Sequence, residues 1–186
     1  MFLLPVLAAS ASLVAINDRQ SRLTALYEDV CLKAFLDDAA VAVLMKAQNA
    51  RELSVEEVKV TMVDDPARAW ELPDQSATIW LELPPYHACS VRWNAPQLGD
   101  LTTYRAIADR YEATLGGFQP IKPFDADYGD IHVHAIGEER KRTDVPAESL
   151  FIFDQKITDA KRQKAGETGL SLRFVHQLAP PAEKAR

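Results

Sequence analysis

A chain of 186 residues has room for one domain, and a domain of that length buries roughly 70% of the surface its unfolded chain exposes. Hydrophobic residues at 47% and charged ones at 26% exclude a disordered or fibrous protein. A net charge of −6 would repel a polyphosphate, so nucleic acid is not an expected partner.

The seven glycines are spaced so that neither G-x-x-x-x-G-K-[ST] nor G-x-G-x-x-G can be written, which removes the usual nucleotide cradles. G-x-S-x-G, C-x-x-C and H-E-x-x-H are absent too, and with them the common motif routes to a hydrolase, a redox dithiol or a zincin.

Taken in chain order, the first element is an uncharged apolar stretch over residues 1–17, with Leu3, Leu4, Val6, Leu7, Leu13 and Val14 interrupted by small residues. It is too short to cross a bilayer, and residues 1–15 read as a signal peptide cleaved after Ala11 or Ala15. The basic residue expected at its start is missing. The other reading is a buried N-terminal helix, for which Pro5 and the Ala/Ser-rich middle are poor choices.

Leu23, Leu26, Tyr27, Val30, Cys31 and Phe35 recur at helical spacing and predict a helix over 22–35 with Cys31 on its buried stripe. Asp37 and Asp38 offer a cap for a second helix over 39–48. Ser54 and Glu57 form a capping-box pair, yet Val58, Val60, Thr61, Met62 and Val63 favour a strand, so this segment stays undecided between helix and strand.

From Ala77 the period becomes two. Ile79, Leu81 and Leu83 share one side of a strand, and Cys89, Val91 and Trp93 share one side of the next, with Pro84, Pro85 and Tyr86 as the turn of an antiparallel hairpin. Asp100 caps a long helix whose stripe is Leu101, Tyr104, Ala108, Tyr111 and Leu115, and Gly116 and Gly117 end it. Three strands follow, near 131–136, 149–153 and 170–177, and residues 179–186 read as a flexible tail. The sum is an α+β fold: N-terminal helices, then an antiparallel sheet with the long helix packed on one face, in a single domain over 18–178.

With export, the two cysteines, Cys31 and Cys89, have one possible pairing and leave no thiol over; in a reducing compartment they would be two separate buried thiols. The leader, the cysteine of the first mature helix and the later Cys89-Ser90-Val91 strand together resemble a group of small uncharacterised exported proteins of proteobacteria. That resemblance implies a disulfide between Cys31 and Cys89 and brings no activity with it.

His132 and His134, two apart on a strand, would point to one face about 7 Å apart, a spacing that can chelate a transition metal. Asp125, Asp127 and Asp130 stand ready to add an oxygen, although the spacing is not that of an EF-hand. Carboxylate pairs for acid–base work could be drawn from Asp125, Asp127, Asp130, Glu148 or Asp154, but spacing does not say which of them meet. Trp80, beside Thr78 and Glu82, is either a ligand platform or covered by a second layer such as the N-terminal helices; Trp70 and Trp93 read as core. Arg140, Lys141 and Arg142, beside Glu138 and Glu139, read as a solvated loop.

No catalytic residue stands out. The expected protein is periplasmic or secreted, without a membrane span once the leader is removed, and serves as a non-enzymatic binding or interaction module for a protein or small-molecule partner with no resident cofactor. The alternative is a metal-binding protein or metalloenzyme that uses His132 and His134.

Overall fold

The computed structural model describes residues 6–85, 87–95, 99–141, 146–161 and 170–179. Helix α1 (Val6–Tyr27) runs without a break from the expected leader into the first predicted helix, and beyond Tyr27 it widens into a π-helical segment, Glu28–Ala34, that buries Val30 and Cys31. Its middle is tied to the loop before α4: Gly99 N donates to Gln20 Oε1 at 2.8 Å and Gln20 Nε2 donates to Asp100 O at 2.7 Å. Among the described residues no helix is long and apolar enough to cross a membrane.

Asp37 caps α2 (Asp38–Ala47), its carboxylate accepting from Ala39 N at 3.0 Å and Ala40 N at 3.1 Å. At α3 (Val55–Met62) the capping box prevails over the β-branched residues: Ser54 and Glu57 satisfy each other's backbone N–H, and only Val58 of the helix is buried. The undecided segment is therefore helical, because one buried valine on a capped turn suffices to dock it against Ala69 and Trp80.

The strands are β1 (Arg51–Glu52), β2 (Ala67–Glu71), β3 (Thr78–Glu82), β4 (His87–Ala95), β5 (Gln119–Pro120), β6 (Phe124–Tyr128), β7 (Ile131–Arg140), β8 (Ala147–Ile157) and β9 (Leu170–Ala179), with α4 (Thr102–Leu115) between β4 and β5. They form one antiparallel sheet in the order β1-β2-β3-β4-β9-β8-β7-β5, with β6 also paired to β7. This is the expected α+β architecture. The predicted hairpin is β3–β4 and the three later strands are β7, β8 and β9. Strands β1, β2, β5 and β6 were not anticipated. A sequence signal for β6 exists: Gly129 at φ +61° and Asp130 form the two-residue turn between Tyr128 and its partner Ile131, a Gly-Asp hairpin connection.

Register explains the core. Trp70, Ile79, Val91, Phe174, Ile152 and Ile136 lie opposite one another across six strands, so they share one face, and α1, α2 and α4 cover it. On that face Cys89 of β4 is bonded to Cys31 of the π-helical segment, with Cα atoms 5.3 Å apart, within the range a disulfide requires. The opposite face carries α3 at one end, over Ala69 and Trp80. Trp80 is thus covered by a second layer, as expected, though by α3 rather than by the N-terminal helices. Trp70 and Trp93 are core, as read.

One expectation needs correction. Arg140 is not part of a solvated loop: it ends β7, its side chain is 15% exposed, and it pairs with Glu148 at 2.5 Å. Its position on the strand explains why, since Arg140 lies directly opposite Glu148 of β8. Lys141 does pair with Glu139, at 2.8 Å. Arg142, the start of the leader and the tail beyond Ala179 lie outside the described residues.

Candidate functional site

Helix α4 lies across β7 and β8, and two arrangements are built beneath it. The first is a buried polar network. Tyr111 on α4, Glu148 on β8, Arg140 on β7 and His176 on β9 meet beside the disulfide. The Tyr111 hydroxyl donates to Glu148 Oε1, His176 Nε2 donates to the same oxygen at 2.8 Å, and Arg140 Nη2 donates to Glu148 Oε2 at 2.5 Å. His176 Nδ1 donates to the Cys31 carbonyl at 2.6 Å. Both ring nitrogens therefore face oxygen atoms.

Burial alone would push the Glu148 carboxyl up, but the His176 imidazole, the Tyr111 hydroxyl and the Arg140 guanidinium together pull it down to about 2. Burial, and then its hydrogen bond to Glu148, raises the Tyr111 hydroxyl. His176 is 1% exposed, and both of its ring nitrogens are engaged within the network. The network ties the helical layer to the sheet.

The second arrangement is open. A cleft of about 380 Å³ runs between α4 and the sheet. Ile136, Leu150 and Ile152 form its floor, Tyr104 and Ala108 its roof, and Pro120, Ile121 and Pro123 a side wall. That wall is held in place where Ile121 N donates to Gly137 O at 3.0 Å. Gly137 itself permits the close approach of β8, since a Cβ there would stand 2.3 Å from Leu150 O.

Three carboxylates, Asp109, Glu112 and Glu138, line this cleft together with Arg105. Burial, then the hydrogen bond and charge of Glu138, push Glu112 up to about 8. Glu138 thus acts on Glu112 as a like-charged neighbour that favours the protonated Glu112 carboxyl. An apolar floor with polar groups at its edge, in a volume within the range of ordinary ligand pockets, makes this cleft the candidate binding site.

The remaining histidines are spread along the helix-covered side of the sheet. His132 and His134 share this face, as their spacing requires, and register sets them opposite Asp127 and Asp125 of β6. His132 Nδ1 lies 2.9 Å from Asp127 and its Nε2 3.3 Å from Asp125, while His134 Nδ1 lies 3.1 Å from Asp154. Each ring is held by carboxylates of its own. Among the described residues no group of three or more His, Cys, Asp or Glu side chains is arranged to hold a metal ion. His87, two residues from Cys89, packs on Phe35 and pairs with Asp38 at 2.9 Å.

Of the carboxylates singled out by sequence, Glu148 reaches the buried network; Tyr111 was expected only as part of the α4 stripe and Glu138 only as a neighbour of the basic run, and Glu112 and His176 were not expected at a site. A signal for His176 was available: it alternates with Leu172 and Phe174, so period two places an imidazole on the apolar face. The chain matches no protein-family model, and no curated protein is similar to it.

Proposed function

We propose that this chain is a non-enzymatic binding module, exported to the periplasm or the cell exterior, that captures a small ligand with an apolar body and a cationic head in the cleft beneath α4. The observation that carries this reading is the juxtaposition of an apolar floor, Ile136, Leu150 and Ile152, with the Glu112–Glu138 carboxyl pair. An apolar body would displace water from the floor, and an ammonium group beside Glu112 would take the place of the proton that Glu112 carries. Arg105 offsets part of the negative charge, so one cationic head, not two, is the expected complement. The Cys31–Cys89 bridge supports an oxidising compartment.

Octylamine, octanoate and octanol test the reading in parallel, followed by methyl NMR of Ile121, Ile136 and Ile152. Octylamine is expected to shift these methyls most, to release protons on binding near pH 7, and to bind about tenfold more weakly to Glu138→Gln, the loss of one charge-assisted contact. If none of the three probes moves the methyls, or octanoate binds as tightly as octylamine, the proposal fails.

A second reading, a transition metal on His132 and His134, draws on their shared face beside Asp125 and Asp127. Zinc titration of the protein and of a His132→Ala, His134→Ala double variant decides it: equal binding by both removes these residues as ligands.

A further inference from the structure

A separate cavity lies at the far end of β3 and β4, where α1 approaches from the core side of the sheet and α3 from the other. It measures about 330 Å³. Arg19 of α1, Arg92 of β4 and Trp80 of β3 line it, with hydroxyls from Thr61, Ser76 and Thr78. The one carboxylate among its lining residues, Glu71, is already engaged by Arg51 at 2.9 Å.

Two buried N–H groups on the residues that line this cavity have no acceptor. Trp80 is 4% exposed, and its indole Nε1–H is buried with no hydrogen-bond partner; so is Arg19 Nε, although the other end of that guanidinium donates to Ser76 O. A buried donor left without an acceptor is destabilising, and native proteins keep few of them. Arg92 stacks on the Trp80 ring at 5.1 Å and forms no ion pair among the described residues. It also lies directly opposite Arg173 of β9, whose own guanidinium stacks on Phe153 at 4.8 Å. Two like charges facing each other across neighbouring strands oppose folding unless something neutralises them. Burial, and then the charge of Arg173, push Arg92 down to about 10, against a partial pull from Glu82.

Positive charge, unpaired N–H groups and aromatic walls in one cavity call for a single kind of guest. We propose that this cavity is an oxyanion site, in which Arg19, Arg92 and the Trp80 indole N–H hold the carboxylate or phosphate group of a small ligand. Arg173 adds to the field without lining the cavity. The guest would supply the acceptor oxygens that the protein omits, and its charge would relieve the Arg92–Arg173 repulsion. This site is independent of the cleft beneath α4: it lies across β3 and β4 instead of β7 and β8, and it takes the opposite charge.

The indole N–H of Trp80 is the reporter. Its signal in a nitrogen–proton correlation spectrum, assigned with Trp80→Phe, is followed while the protein is titrated with inorganic phosphate, with succinate and, at matched ionic strength, with sodium chloride. Phosphate, succinate or both should move the signal where chloride does not, and should raise the melting temperature. A response to one anion alone assigns the site to that chemistry. Arg92→Gln should weaken the response about tenfold, the loss of a charge-assisted hydrogen bond, and without anion it should melt no lower than the parent, because a like charge is gone. If the Trp80 signal of the parent follows phosphate and succinate only as it follows chloride, the proposal is overturned, whatever the variants do.

Discussion

Consecutive residues of α4 meet opposite electrostatic outcomes against the same sheet. Tyr111 reaches Glu148, which is 6% exposed, holds an imidazole, a hydroxyl and a guanidinium, and is drawn down to about 2. Glu112, the next residue, faces Glu138 and is pushed up to about 8. The buried carboxylate is the contented one, and the more open one is strained. Depth alone would predict the reverse. At Glu148 three donors outweigh burial, whereas at Glu112 burial comes first and a second carboxyl adds to it. A carboxylate that gathers three donors stabilises the fold, whereas a carboxyl pair that lacks a cation leaves an interaction for a ligand to complete.

The largest break in this comparison is removal of Glu148. Glu148→Ala leaves His176 and Arg140 facing each other without their shared acceptor, and stability should fall by about 3–5 kcal/mol in denaturant unfolding. Acid should reveal the same interaction in the parent. A carboxyl held below its unfolded value contributes stability above the unfolded value of 4.5, and that contribution is lost as pH falls from there toward about 2. Acid unfolding in that window should therefore be shallower in Glu148→Gln.

Opening the disulfide ranks next. The bridge closes a loop with a sequence separation of 58, and the Cys31→Ser, Cys89→Ser protein should lose about 2–5 kcal/mol. The loss should be coupled to the network, because the Cys31 carbonyl orients His176. Combining these substitutions with Glu148→Ala should cost less than the sum of the two effects, and strict additivity would separate bridge from network.

The smallest effect has the opposite sign. Glu112 is raised, so the stability its proton supports is complete below 4.5 and is lost as pH rises through about 8. Glu112→Gln should leave stability unchanged near pH 4 and raise it slightly near pH 9, by less than about 1 kcal/mol because solvent screens a partly exposed pair. Equal effects at both pH values would show that the pair is not strained.

Much of the fold could be read from periodicity, because Ile79 and Leu81 of β3 and Cys89, Val91 and Trp93 of β4 recur at every second residue and the α4 stripe recurs at three and four. The disulfide was legible for the same reason: Cys31 and Cys89 each fall on an apolar face. The site was not. Glu112 and Glu138 are separated by a turn, a short strand and a hairpin, and no local spacing tells that α4 lies over β7. Arg140 misled for a related reason: beside Lys141 it looks like a surface run, and only the strand opposite reveals Glu148. β6 was missed because the Asp residues of Phe124–Tyr128 disfavour strands, while its pairing to β7 and the Gly129–Asp130 turn override that preference.

Carbon-detected NMR titration of the side-chain carboxyls tests the contrast beneath α4 most directly. The account predicts that Glu148 stays ionised down to about pH 2 and that Glu112 titrates near 8, falling toward its ordinary value of 4.5 in Glu138→Gln. A Glu112 midpoint already near 4.5 in the parent, unmoved by Glu138→Gln, would contradict it.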